Sequence, residues 1–188
     1  METLVHSLPS LLWFMAPAYL GNMAPPFLRY WKGWNPPIHA PTLGAHKTVL
    51  GYAAGVLVAL LATAVQARIH ARHLDGMHLD GLLADGTLGG ISALVDYRHW
   101  FWLGLAFGVG AMSGDCLKSY FKRRRGVPPG ARWIPFDQLD FVIGALVLVA
   151  PFSLLGWPDV LVILQVSLLG DLAVNRIAYA LGIKTSRW

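Results

Sequence analysis

The sequence predicts an all-α integral membrane bundle of five transmembrane helices, with the N-terminus outside and the C-terminus in the cytoplasm. Three observations lead there. Hydrophobic residues make up 55% of the 188 positions and charged residues 13%, about half the roughly 25% charge of soluble domains, and the mean hydropathy is +0.51. The apolar residues gather into segments of near-membrane length, joined by short connections that leave room for one domain, residues 1–188. The cations, finally, are unevenly shared. Counting connections alternately, Arg29, Lys32 and Lys47, then Lys118, Lys122, Arg123, Arg124, Arg125 and Arg132, then Arg176, Lys184 and Arg187 take 12 of the 15 Lys and Arg. The positive-inside rule places those on the cytoplasmic side.

In chain order, the first span is expected over 4–23, with Pro9 and Pro17 as kinks. It has no basic n-region and no small-residue cleavage site, so a removable signal peptide is not expected. Residues 24–47 are too rich in Pro, Gly and aromatics for a helix and form the first cytoplasmic loop. The second span covers 48–67, with Gln66 its strongest polar member, and closes on Arg68 and Arg72. An acidic outer loop with Asp75, Asp80, Asp85 and Asp96 follows over 73–98. Trp100–Gly114 is short for a crossing, so the third span is expected to begin earlier, giving 91–114. The second cytoplasmic loop is 115–140, the fourth span 141–157, and the fifth 160–181, after an uncharged turn between Pro151 and Pro158. Cys116 is the single cysteine, which excludes an intramolecular disulfide. The net charge of +5 is read as membrane orientation and attraction for anionic lipid, not as nucleic-acid binding.

Chemistry concentrates between Met112 and Asp140. Asp115, Lys118, Ser119 and Lys122 share one stripe if the third helix continues past the membrane surface. Asp137 and Asp140, three apart, stand at the mouth of the fourth helix, and Gly126, Pro128, Pro129 and Gly130 turn the chain back between the two. Carboxylates at neighbouring helix mouths with a basic loop between them suit a divalent cation holding a polyphosphate. A hairpin whose charges only set topology accounts for the basic block but not for the acids, which topology does not need. Asp171 lies midway along the fifth span, with Ser167 and Asn175 one turn to either side. A carboxylate at that depth needs a partner and an interior position. It is either the floor of a polar cavity or half of a structural pair with Arg176 or Lys118.

The run Ser113-Gly114-Asp115-x-x-Lys118-Ser119-x-x-Lys122-Arg123, followed by Asp137-Gln138-x-Asp140, resembles the signature of the CTP-dependent cytidylyltransferases of phospholipid synthesis, the CDP-diglyceride synthase superfamily. Gln138 replaces an Arg of that signature, and only Pro129-Gly130 stands near its Pro-Gly-His-Gly-Gly run. The short loop, the five spans and Gly44-Ala45-His46-Lys47-Thr48 are similar to the compact archaeal branch, the CDP-archaeol synthases. This resemblance implies transfer of CMP from CTP to an unsaturated archaeal ether-lipid phosphate, 2,3-di-O-geranylgeranylglyceryl phosphate. Pyrophosphate is released, Mg2+ is required, CTP comes from the cytoplasm and the lipid from the inner leaflet. It implies metal ligation by Asp115, Asp137 and Asp140, with Asp171 a further candidate, and phosphate contacts from Lys118, Lys122 and Arg123. Lys47 would reach the triphosphate or the lipid phosphate, Ser119 would bond a phosphate or orient a ligand, and Asn175 would border the same site. Asp115, Lys118, Lys122, Asp137 and Asp140 would carry catalysis. A CTP-dependent polyprenol kinase, a CDP-diacylglycerol synthase and a transporter are the other readings.

Two outer-loop patterns carry less. Asp80-Gly81-x-x-Ala84 resembles the opening of the CDP-alcohol phosphatidyltransferase motif but continues with Asp85 where that motif has Arg. His73, Asp75, His78 and Asp80 include metal-ligand types, yet Asp-Gly pairs at 75, 80 and 85 read as turns.

Overall fold

A computed structural model describes residues 6–74, 94–128, 131 and 133–180, and every regular element among them is helical. The order is α1 (Leu8–Met23), α2 (Ala40–Leu43), α3 (Val49–Leu74), α4 (Trp100–Arg124), α5 (Phe136–Val149) and α6 (Trp157–Ala180), with 3-10 turns at Pro25–Tyr30, Tyr97–His99 and Ala150–Phe152. The expected span start at Leu4, the acids at 75, 80 and 85, His78, Ile91, Pro129-Gly130, Arg132, Leu181, Lys184 and Arg187 lie outside the described residues.

Several boundaries differ from the sequence expectation. The loop 24–47 contains helical pieces after all, each opened by a proline at a first-turn position, where the missing N–H costs nothing. α3 continues past Ala67 to Leu74, because no Gly or Pro lies between Gly55 and Leu74 to stop it. α4 starts at Trp100, not near Ile91. Asp96 Oδ1 accepts the Arg98 N–H at 2.9 Å and caps the 3-10 turn that leads into the helix. The same helix runs on through residues 115–124, expected as loop, and stops where Gly126 adopts a φ of 70°. α5 starts at Phe136 and ends at Val149 rather than at 157, since Pro151 has no N–H to continue it. Pro17 lies inside α1 without ending it.

Leu11, Phe14, Met15 and Ala18 recur at helical spacing and are all buried, so one stripe of α1 faces the core. It meets Ala59 of α3, Leu103, Phe107 and Ala111 of α4, and Val142, Ala145 and Val149 of α5. Phe14 and Phe107 pack edge to face with centroids 5.2 Å apart. α1 and α3, α3 and α4, and α4 and α5 run antiparallel and touch through glycine. Gly21 faces Gly55, Gly108 faces Val56, and Gly110 and Gly114 of α4 lie directly on Gly144 and Asp140 of α5. A methyl at Gly114 would overlap the Asp140 carbonyl, so this crossing brings backbones together as small-residue pairs do between membrane helices.

α6 joins at both ends of α1. His6 gives its backbone N–H to Asp159 Oδ1 at 2.9 Å and its ring Nδ1 to Asp159 Oδ2 at 3.0 Å, and Tyr19 bonds Ser167 at 2.6 Å. Val49–Arg72, with mean hydropathy 1.9, and Trp157–Ile177, with 1.7, are long and apolar enough to cross a membrane. Leu57, Leu61 and Val65 on α3 and Leu161, Leu169, Val174 and Ile177 on α6 stand exposed, an apolar surface of the kind that meets lipid.

Candidate active site

The extra length of α4 and the early start of α5 create the site. Ten residues of α4 that carry no hydropathy signal lift Asp115, Lys118 and Lys122 onto one face. The Gly114 crossing sets the first turns of α5, with Asp137 and Asp140, against them. A third element supplies Lys47. Ile38 N–H donates to Lys47 O at 2.7 Å and Val49 N–H to Pro36 O at 3.0 Å, a short ladder that holds the loop against the start of α3.

Lys118 Nζ is the centre of the cluster. It lies 3.3 Å from Asp115 Oδ1, 3.4 Å from Asp137 Oδ1 and 2.8 Å from Asp140 Oδ2. Lys47 pairs with the other Asp115 oxygen. Lys122 reaches both Asp137 oxygens, at 3.0 and 2.8 Å, and Trp133 N–H adds a bond of 2.7 Å to Oδ2. Asp140 Oδ1 accepts the Phe141 N–H at 2.6 Å, and its buried Oδ2 lies against the Lys118 ammonium. Among the described residues no three His, Cys, Asp or Glu side chains form a ready metal cage; the carboxylates share ammoniums instead.

These neighbours set the proton affinities. Burial, with the Asp115 charge added, outweighs Lys118 and pushes the Asp140 carboxyl up to about 6. Burial also works against Asp115 and Asp137. There Lys47 and Lys118 in the first case, and the bonds from Lys122 and Trp133 in the second, hold both carboxyls below the usual range. Burial disfavours the Lys118 charge, but Asp140, Asp115 and Asp137 more than offset it and raise its pKa.

Other expected residues are placed differently. Ser119 Oγ donates to Asp115 O at 2.9 Å, a bond within its own helix. Arg123 Nη1 holds Val127 O at 2.7 Å in the turn after α4. Asp171 accepts a bond of 2.8 Å from Asn175; both sit on α6, which supplies none of the three carboxylates around Lys118. Residue patterns did not disclose the pairing of Lys47 with Asp115, although the Gly44-x-x-Lys47 element marks the lysine. Nor did they disclose that Gln138, which replaces the signature Arg, is buried with Oε1 unpaired.

A groove of about 650 Å3 runs from Lys118 and Asp140 along the α4–α5 seam, past Gly110, Leu117, Ile143, Gly144, Val147 and Leu148, with Phe121, Trp133 and Phe136 at its head. A larger cavity of about 790 Å3 lies between α3, the Leu94–His99 segment and Pro151–Leu154. Its carboxylate, Asp96, is engaged in capping, whereas the seam groove meets the charged cluster at Lys118 and Asp140.

A family model described as CarS-like, CDP-archaeol synthase, matches residues 4–188. The CDP-archaeol synthase of Methanospirillum hungatei is 35% identical over 154 residues, covering 78% of this chain and 81% of its own length. That of Methanosarcina barkeri is 33% identical over 190 residues, covering 93% and 100%. A solved structure described as an intramembrane enzyme for archaeal membrane lipids biosynthesis shares the fold with a TM-score of 0.59 at 24% identity, over 91% of this chain and 96% of that one. With its model matched over nearly the whole length and full-length relatives above 30% identity, the chain belongs to the CDP-archaeol synthase family.

Proposed function

We propose that this membrane protein transfers CMP from CTP to the phosphate of an unsaturated archaeal ether lipid, 2,3-di-O-geranylgeranylglyceryl phosphate, giving CDP-archaeol and pyrophosphate. One observation carries the reading: a compact set of three carboxylates and three lysines stands at the head of an apolar groove. A lipid phosphate placed at Lys118 would leave its isoprenoid chains along Leu117, Ile143, Val147 and Leu148. Binding energy from those chains positions the phosphate, as remote contacts do in many enzymes.

In the reaction a lipid phosphate oxygen forms a bond to the α-phosphorus of CTP while the bond from that phosphorus to the β-phosphate bridge oxygen breaks. No covalent enzyme intermediate is needed. Lys47, Lys118, Lys122 and Arg123 lower the charge that the two anions present to each other. Asp115, Asp137 and Asp140 are hard oxygen donors that meet at the Lys118 ammonium. As donors they would suit Mg2+ once that ammonium moved aside, and the ion when bound would neutralise charge on the triphosphate and on the leaving pyrophosphate. The chain is read as one domain with five crossings, the N-terminus outside and the site opening to the cytoplasm, where CTP is available.

The test is incubation of the purified protein with CTP, Mg2+ and lipid phosphates differing in linkage and saturation, with both products identified. A CDP-lipid with pyrophosphate is expected, and most of it from the unsaturated ether lipid. CDP with a phosphorylated lipid would make the protein a kinase, and intact CTP with every lipid would refute the proposal.

A further inference from the structure

A lysine ammonium stands where the three carboxylates of the cluster meet. Lys118 Nζ touches Asp115, Asp137 and Asp140, whereas Lys122 touches Asp137 alone and Lys47 touches Asp115 alone. Three carboxylates thus face three ammoniums, in a place where the Asp140 side chain is only 5% exposed. A free divalent cation entering this balanced cluster has to displace the Lys118 ammonium. The space beside that ammonium is the groove, whose lining offers it only Asp140 and Ser113 as polar partners, so a charge displaced there is poorly compensated once Asp140 binds a metal. Displacement becomes favourable only when an anion arrives with the metal and receives the lysine.

We propose that Lys118 is the resident cation of this site: it keeps the metal's place in the nucleotide-free protein and passes to the triphosphate when a metal–CTP complex enters. The inference rests on reading Asp115, Asp137 and Asp140 as the metal-binding carboxylates. The consequence is an order of binding. Metal and nucleotide arrive together, and free Mg2+ neither occupies nor stabilises the protein.

The full chain in detergent micelles, without nucleotide, is titrated with Mg2+ and followed by calorimetry and by Tm; wild type, Lys118→Met and Lys122→Met are compared. Wild type and Lys122→Met should show no response to millimolar Mg2+ alone, and wild type should respond when CTP is added. Lys118→Met should start with a lower Tm, recover it with Mg2+ alone and bind the free ion at least about tenfold more tightly than wild type. Tight Mg2+ binding by nucleotide-free wild type overturns the inference, as does a Lys118→Met protein that gains no affinity. If Lys118→Met does not fold, the wild-type titration alone decides. A wild type that ignores Mg2+ even with CTP refutes the metal-binding carboxylates themselves, an outcome distinct from failure of the lysine's role.

Discussion

Each carboxylate of the cluster is held by a different set of neighbours, and the predictions at residue scale follow from that. Asp115→Asn, Asp137→Asn and Asp140→Asn should each cost roughly 100-fold in kcat/KM, about 2.7 kcal/mol of transition-state stabilisation, with an unchanged helical spectrum. Asp171→Leu is the contrast. Its carboxylate is bonded to Asn175 on α6, so turnover should fall by less than tenfold. A pH profile separates the acids further. Asp140 has its carboxyl raised to about 6, and a metal-binding carboxylate must be ionised. Log kcat/KM, which reports groups of the free enzyme, should therefore decline on the acid side with a midpoint near 6, while Asp115 and Asp137 remain ionised there. The sign is reversed for stability. A raised carboxyl favours the folded state below its unfolded pKa of about 4, and that contribution is lost as pH rises through about 6. A flat activity profile between pH 5 and 8 would contradict this assignment.

At the scale of elements, the helices that contain long apolar runs were legible in the sequence, while their ends were not. Phe121, Lys122 and Arg123 favour helix well enough, but hydropathy registers a basic block as the end of a span, so α4 was expected to stop at Gly114 rather than at Arg124. The start of α4 depends on a cap by Asp96, and that of α5 on a turn after Trp133; both are contacts that periodicity does not show. The spacing of Asp115, Lys118 and Lys122 was legible because it needs only one helix, and the structure brings that stripe to Asp137 and Asp140 as the two helix mouths suggested. Gly114 makes this meeting close. Gly114→Leu should separate α4 from α5, cost about 1–3 kcal/mol in overpacking and lower turnover more than the shift in Tm accounts for. Full turnover in a folded Gly114→Leu protein would show that the spacing of the two helices does not matter.

For the whole molecule, composition and apolar runs pointed to an all-helical membrane protein, and the family comparison agrees with the motif at Ser113–Arg123. The groove was not readable, because its wall is assembled from Gly110 and Gly144 on separate helices and exists only once they cross. Labelling tests the orientation. In a Cys116→Ser background, a cysteine replacing Gly126 should resist an impermeant thiol reagent in intact cells, and one replacing Arg98 should react. The opposite pattern would reverse the side from which CTP enters.

Salinity should act on this enzyme in two separable ways. The balanced cluster around Lys118 is largely shielded from water, and mobile ions screen such buried contacts far less than exposed charges, whose fields fade over about 8 Å at physiological ionic strength. Arg124 and Arg125, by contrast, are exposed on the turn beside it. Their attraction for the anionic metal–nucleotide complex works through solvent and is weakened by salt. Adding potassium chloride should therefore raise the KM for CTP while leaving kcat and Tm nearly constant. High salt would then leave the fold intact and be felt in nucleotide capture.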